Sequence, residues 1–276
     1  MIKDIVVNLS VADGGRSTAD YAVSLAAALE AHLTGIALVY DPVVPISTMG
    51  EVPAEVIESQ QAESKAAAQA AIDRFNATAA RAGLSAEPVM LNASFAGAGD
   101  QFGRIARRFD LAVIGQPQPD RNTVNELIAE SALFDSGRPV IMVPYIQAAP
   151  LKLDRVMVCW DGSRPAARAI GDAMPLFERA GRIEVVVVTN ERGKQDEIEG
   201  ADIGKHLARH GIKVEVERIA LGDIDVADAL LSHAADSSAE FMVMGGYGHS
   251  RLREFVLGGV TRSMLRSMTV PTLLSH

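Results

Sequence analysis

The chain repeats itself. The run Ile5-Val6-Val7-Asn8-Leu9, a Gly-containing turn and a helical pattern over 16–31 recur as Val156-Met157-Val158-Cys159-Trp160, the turn Asp161-Gly162-Ser163 and a helical pattern over 164–180. Residues 36–40 answer to 185–189, 89–91 to 214–216 and 111–115 to 241–245, and the halves close on 138–143 and 270–274. A duplication fixes the architecture before any single residue is weighed, because each copy must fold the same way. Each copy holds five short apolar runs rich in Val and Ile, separated by segments of helical period. Such runs do not alternate with polar residues, so they are buried on both faces, as in a parallel sheet between two helical layers. The expected fold is α/β, with two doubly wound open parallel five-stranded sheets. A boundary near Gln147-Ala148-Ala149-Pro150 gives domains at 1–147 and 151–276. So short a join predicts that the halves pack together along their terminal strands as a pseudo-dimer.

Composition agrees. With 48% hydrophobic and 22% charged residues in 276, the chain can bury a large core and is not disordered. Lys and Arg number 26 against 35 Asp and Glu, a net charge of −9, so nucleic acid and anionic membranes are not expected partners. The single Cys159 allows no internal disulfide, which suits a reducing, cytoplasmic setting. The N-terminus enters a strand-like run without the pattern of a signal peptide. The apolar tract at 22–39 is broken by Ser24, Glu30, His32 and Thr34, too often for a membrane span.

The copies differ between their second and third strands. The first carries a loop punctuated by Pro42, Pro45, Gly50 and Pro53, then an Ala- and Gln-rich helical stretch over 54–82, read here as a surface insertion. The second crosses over with little more than 195–210.

In an open parallel sheet ligands bind beyond the carboxyl ends of the strands, where the strand order reverses. In the second copy those positions hold Asp161-Gly162-Ser163, Val188-Thr189-Asn190, Gly222-Asp223 and Gly245-Gly246-Tyr247-Gly248, the last leading into a helical pattern over 251–268. Gly245 and Gly248 would let backbone N–H groups approach a phosphate, with the following helix adding its unpaired donors and dipole. From 245 to 268 four Arg (Arg251, Arg253, Arg262, Arg266) face one Glu254. A glycine run that merely ends a strand, beside a solvated helix face, accounts for the same residues. His249 is either a phosphate donor or an exposed turn residue. No Walker-type loop and no nucleophile elbow is present. The run Gly97-Ala98-Gly99-Asp100-Gln101-Phe102-Gly103 is one residue too long for a dinucleotide fingerprint and reads as a turn into a helix at about 101–109. His206 and His210 lack the companions of a metal site, and Cys159 reads as a packed thiol in a buried strand.

The second copy resembles the universal stress protein family. The motif carrying the resemblance is Gly245, two residues, Gly248, nine residues, Gly258, then Gly259 where nucleotide-binding members have Ser or Thr. The resemblance implies an adenine nucleotide alpha hydrolase-like fold with sheet order 3-2-1-4-5, pairing through the last strand, and a stress-response protein that binds ATP or AMP, with Mg optional. It implies that Asp161, beside Gly162, meets the adenine edge and that Val188 or Thr189 lines the base pocket. Met244, Gly245 and Gly248 approach the ribose and phosphates, and Gly258, Gly259 and Val260 follow in the phosphate loop. Gly259 lacks the hydroxyl donor of the family motif, and Thr261 is the nearest substitute. The first copy has Gln118 in place of the second glycine, with Pro117 and Pro119 withholding N–H donors. One nucleotide site per chain is therefore expected, in the second copy, with the first a degenerate domain. Nothing in the sequence requires catalysis. The alternatives are a slow ATP hydrolase, with Asp161 and Asp223 as its only nearby carboxylates, and a nucleotide-free scaffold acting through protein contacts or a homodimer.

Overall fold

A computed structural model describes residues 1–9, 16–42, 53–117, 123–190, 199–222, 224–246 and 259–276. By compactness it divides into an N-terminal unit, 2–138, and a C-terminal unit, 139–276.

The N-terminal unit runs β1 (Asp4–Asn8), α1 (Arg16–Leu29), β2 (His32–Tyr40), α2 (Ala54–Arg81), β3 (Ala86–Ala93), α3 (Ala98–Ala106), β4 (Leu111–Gly115) and α4 (Thr123–Asp135). Its strands lie parallel in the order β3-β2-β1-β4. Ile5, Val6 and Val7 are all sealed from solvent, as are Leu111 to Ile114 in turn, so both faces of the sheet are covered. On one face α1 and α2 approach through glycines: a Cβ on Gly35 would lie 2.8 Å from the Phe75 ring of α2. α3 packs tightly on α4. Here the expectation from sequence needs correcting. The helix starts earlier than expected, so Gly99 is not in a turn but lies inside α3 together with Gly103, where Cβ atoms on the two would stand 2.5 Å from the Leu127 carbonyl oxygen and from the Ser131 hydroxyl of α4, respectively. The glycine spacing that resembled a nucleotide motif is a helix-packing face.

The segment read as a surface insertion is also more integral than expected. α2 buries Ala68, Ala71, Ile72, Phe75 and Ala79 and packs on β2 and β3 as their crossover helix. Its Ser64 hydroxyl accepts the Tyr40 N–H at 2.8 Å, so α2 reaches over the carboxyl end of β2. The loop at 43–52 lies outside the described residues.

The C-terminal unit runs β5 (Val140–Val143), β6 (Arg155–Cys159), α5 (Arg164–Phe177), β7 (Arg182–Asn190), α6 (Glu199–Arg209), β8 (Val214–Leu221), α7 (Val226–Asp236), β9 (Phe241–Gly245), α8 (Gly259–Ser267) and β10 (Thr272–Ser275). Its strand order is β5-β10-β9-β6-β7-β8. Five of these strands are parallel and reproduce the expected order 3-2-1-4-5; β5 pairs antiparallel with β10 through Thr272↔Met142 and Leu274↔Val140. The last strand of the first copy thus lies in the compact unit of the second, where all four of its side chains are buried. Of the helix expected over 251–268, the part at 259–267 is α8, and 251–258 falls outside the described residues.

The duplication reaches individual hydrogen bonds. Asp110 N–H donates to the Asp4 carbonyl at 2.9 Å and Glu240 N–H to Arg155 at 2.9 Å. His32 donates to Lys3 and Arg182 to Asp154, both at 2.8 Å. At the far ends Leu9 donates to Ile36 at 2.8 Å and Trp160 to Val186 at 2.9 Å.

Candidate functional site

In the C-terminal unit the strand order reverses between β6 and β9, so the crevice to inspect lies at their carboxyl ends. β6 hands over to α5 through Asp161-Gly162-Ser163. Gly162 has φ 72°, a left-handed conformation that side chains disfavour, which is why glycine stands there. The Ser163 N–H donates to Asp161 Oδ1 at 2.9 Å, and the Ser163 hydroxyl caps α5 by accepting the Ala166 N–H at 3.3 Å. Asp161 is exposed, with one carboxylate oxygen engaged in this turn.

Gly245, at the end of β9, has a packing role that spacing did not reveal. A Cβ there would lie 2.5 Å from Ala166 N and 2.8 Å from the Pro165 carbonyl carbon, so the glycine admits the first turn of α5 against the strand. The next N–H, of Gly246, donates to the Ser275 carbonyl at 2.8 Å. Of the other residues singled out by sequence, Met244 is buried in the core, and Val188 and Thr189 are half-buried at the end of β7. Gly259 opens α8 with no heavy atom of the described residues within 4 Å of a would-be Cβ; Val260 is half-buried and Thr261 buried in the turn that follows. Gly248, His249 and Gly258 lie outside the described residues, as does Asp223. The first turn of α8 carries no acidic residue, and Arg262 and Arg266 are exposed along it. Asp161, Asp225 and Asp228 are exposed on the β6 and β8 side. An anion is therefore favoured at the α8 end of the crevice and disfavoured at the other.

Cys159, two residues before Asp161 at the end of β6, is half-buried. Burial, helped by the Asp161 carboxylate, pushes its thiol up to about 12. The thiolate is the reactive form, so this cysteine is inert near neutral pH. Iodoacetamide at pH 8 should leave Cys159 unlabelled in the folded protein and label it fully after denaturation, as mass spectrometry would read; rapid labelling of the folded chain would contradict the assignment. Next to it, the buried Trp160 Nε1 has no hydrogen-bond partner.

The matching end of the N-terminal unit is built differently. Tyr40, its N–H held by Ser64, packs against Phe95 with ring centroids 5.4 Å apart and planes at 51°. Burial raises the Tyr40 hydroxyl to about 12, keeping it neutral. Gln116 is buried after β4, followed by Pro117, which has no N–H to offer.

The universal stress protein family model matches residues 152–276. The chain carries a universal stress protein domain there. A universal stress protein of Synechocystis (Slr1230) is 27% identical over 124 residues, 44% of this chain and 42% of that one, so the match spans less than half of that relative. The fold extends through both copies. A universal stress protein from Archaeoglobus fulgidus superposes with a TM-score of 0.73 at 16% identity, covering 98% of this chain and 97% of the other. A putative universal stress protein from Pseudomonas aeruginosa gives 0.58 at 13% identity, over 99% and 93%.

Proposed function

We propose that this chain is a tandem universal stress protein, with copies at 1–147 and 151–276, whose second copy binds an adenine nucleotide, ATP or AMP, as a regulatory module in a cytoplasmic stress response. The observation that carries this reading is the β9–α8 corner of the C-terminal unit. A glycine with no described atom within 4 Å of a would-be Cβ starts a helix whose first turn is free of acidic residues and is followed by the exposed Arg262, at the switch point of the sheet. Backbone donors and a positive dipole end suit a phosphate there, and the carboxylates across the crevice suit the amino edge of adenine. The N-terminal copy serves structure. At the end of its outer strands Tyr40 packs against Phe95, and Gln116-Pro117 stands where the second copy has Gly246 and the glycine turn begins.

Among the described residues no three His, Cys, Asp or Glu are grouped as a metal site needs. No helix among them is long and apolar enough to cross a membrane.

Trp160, the single tryptophan, directly precedes Asp161. Its fluorescence should change saturably on addition of ATP or AMP, and Gly248→Val should abolish the change. A flat titration to millimolar nucleotide with both proteins would end this reading in favour of a nucleotide-free scaffold.

A further inference from the structure

We infer that His206 and His210, on the solvent face of α6, form a surface site for one imidazole-preferring divalent cation of the Cu²⁺, Ni²⁺ or Zn²⁺ class. The inference is independent of the nucleotide reading. α6 turns Ile203 and Leu207 into the core and leaves Asp202, Lys205, His206 and Arg209 exposed, with His210 exposed just past its end. The two histidines are four apart, so they stand one above the other on the same side of the helix. Their rings meet each other, with centroids 4.9 Å apart and planes at 63°. That separation is the one a shared ion requires. A ring nitrogen bonded to such a metal at about 2.0–2.1 Å sets the ring centroid about 3.2 Å from the ion. Two imidazoles on one ion, at an angle between square and tetrahedral, then have centroids about 4.5–5.2 Å apart.

The backbone holds the pair in register. Gly211, with φ 78°, ends the helix directly after His210. The Ile212 N–H donates to the Leu207 carbonyl and the Gly211 N–H to that of Ala208, both at 3.0 Å, the closure of a helix by a left-handed glycine. His210 is thereby kept from fraying away from His206. Among the described residues no third ligand joins the two, so the site is open and an ion there keeps water in its remaining positions, free to exchange. The carboxyl end of α6 favours positive charge, but Lys205, Arg209 and Lys213 are exposed around it, and Asp202 is paired with Lys205 at 3.5 Å. Affinity therefore comes from coordination rather than from attraction. That selects ions that bind imidazole over Mg²⁺ and Ca²⁺, which take oxygen ligands.

The test is Cu²⁺ alone, without nucleotide, titrated by calorimetry into the full chain freed of metal by EDTA. Wild type is compared with His206→Gln, His210→Gln and the double variant, and nitrogen ligation is read by electron paramagnetic resonance. Wild type should hold its tightest Cu²⁺ through two nitrogens, and excess Mg²⁺ should not displace it. Each single variant should lose about tenfold or more in affinity, and the double variant little beyond that, because one histidine alone is no chelate. Urea midpoints of the metal-free proteins should match throughout, the side chains being exposed. A loss of about twofold or less in each single variant would mean that the rings bind separately and would overturn the shared site. So would a tightest Cu²⁺ that survives the double substitution, or one that Mg²⁺ displaces, which would assign the ion to surface carboxylates. A fall in the metal-free midpoints would make the histidines structural and overturn it too.

Discussion

Replacing Gly245 by alanine should destabilise the C-terminal unit by about 3 kcal/mol, at the upper end of overpacking costs. The added methyl would stand 2.5 Å from Ala166 N and 3.0 Å from Ala166 Cα, backbone atoms that no side-chain rotation can move aside. Relief would require α5 to back away from β9. That helix is anchored at its start by the Ser163 cap and at β10 by the bond from the Ser275 hydroxyl to Asp172 Oδ2 at 2.9 Å. The same change at Gly115, the counterpart in the N-terminal unit, meets only the Thr18 hydroxyl at 2.8 Å, which can rotate, so it should cost about 1 kcal/mol or less. Trp160 lies in the C-terminal unit, so its fluorescence in a urea titration reports that unit's unfolding. A Gly245→Ala protein melting within about 0.5 kcal/mol of wild type would show that α5 is free to shift.

The contrast shows what a sequence can and cannot carry. The strands were legible because a parallel sheet buries both faces, and β4 and β9 fall on the expected residues, Leu111–Gly115 and Phe241–Gly245. The outer strands were read short: β8 extends to Leu221, past the apolar 214–216, because Glu215, Glu217 and Arg218 are exposed along an outermost strand. Glycine roles were the least legible. Gly99 looked like part of a turn, Gly103 like any helical position, and Gly245 like a phosphate contact alone, because the atom that requires each glycine belongs to a helix distant in the sequence. The Tyr40–Phe95 pair was invisible for the same reason: two rings far apart along the chain meet only when β2 and β3 pair. Ser163 was read only as part of the turn after β6, yet it caps α5, a hydroxyl just before a helix with Pro in its first turn.

Changing Gly259 to serine should tighten ATP binding about tenfold without cost to the fold. Among the described residues no heavy atom lies within 4 Å of a new Cβ, and the backbone there is not in the left-handed region, so neither crowding nor strain from them opposes a side chain. It is the first residue of α8, where a hydroxyl lies beside the helix's unpaired N–H groups and the positive end of its dipole. A hydrogen bond to a charged phosphate is worth about 1.5–3 kcal/mol, and tenfold takes the lower end because the hydroxyl must first be ordered. Gly259→Ala separates the hydroxyl from the mere presence of a side chain. It should match wild type in ATP affinity, whereas serine should exceed it, with urea midpoints equal in all three. Equal ATP affinity in the serine and glycine proteins, each properly folded, would place the phosphates away from the start of α8 and remove the electrostatic argument for this corner. Gain in the alanine variant as well would mean that helix stiffening, not phosphate contact, sets the affinity.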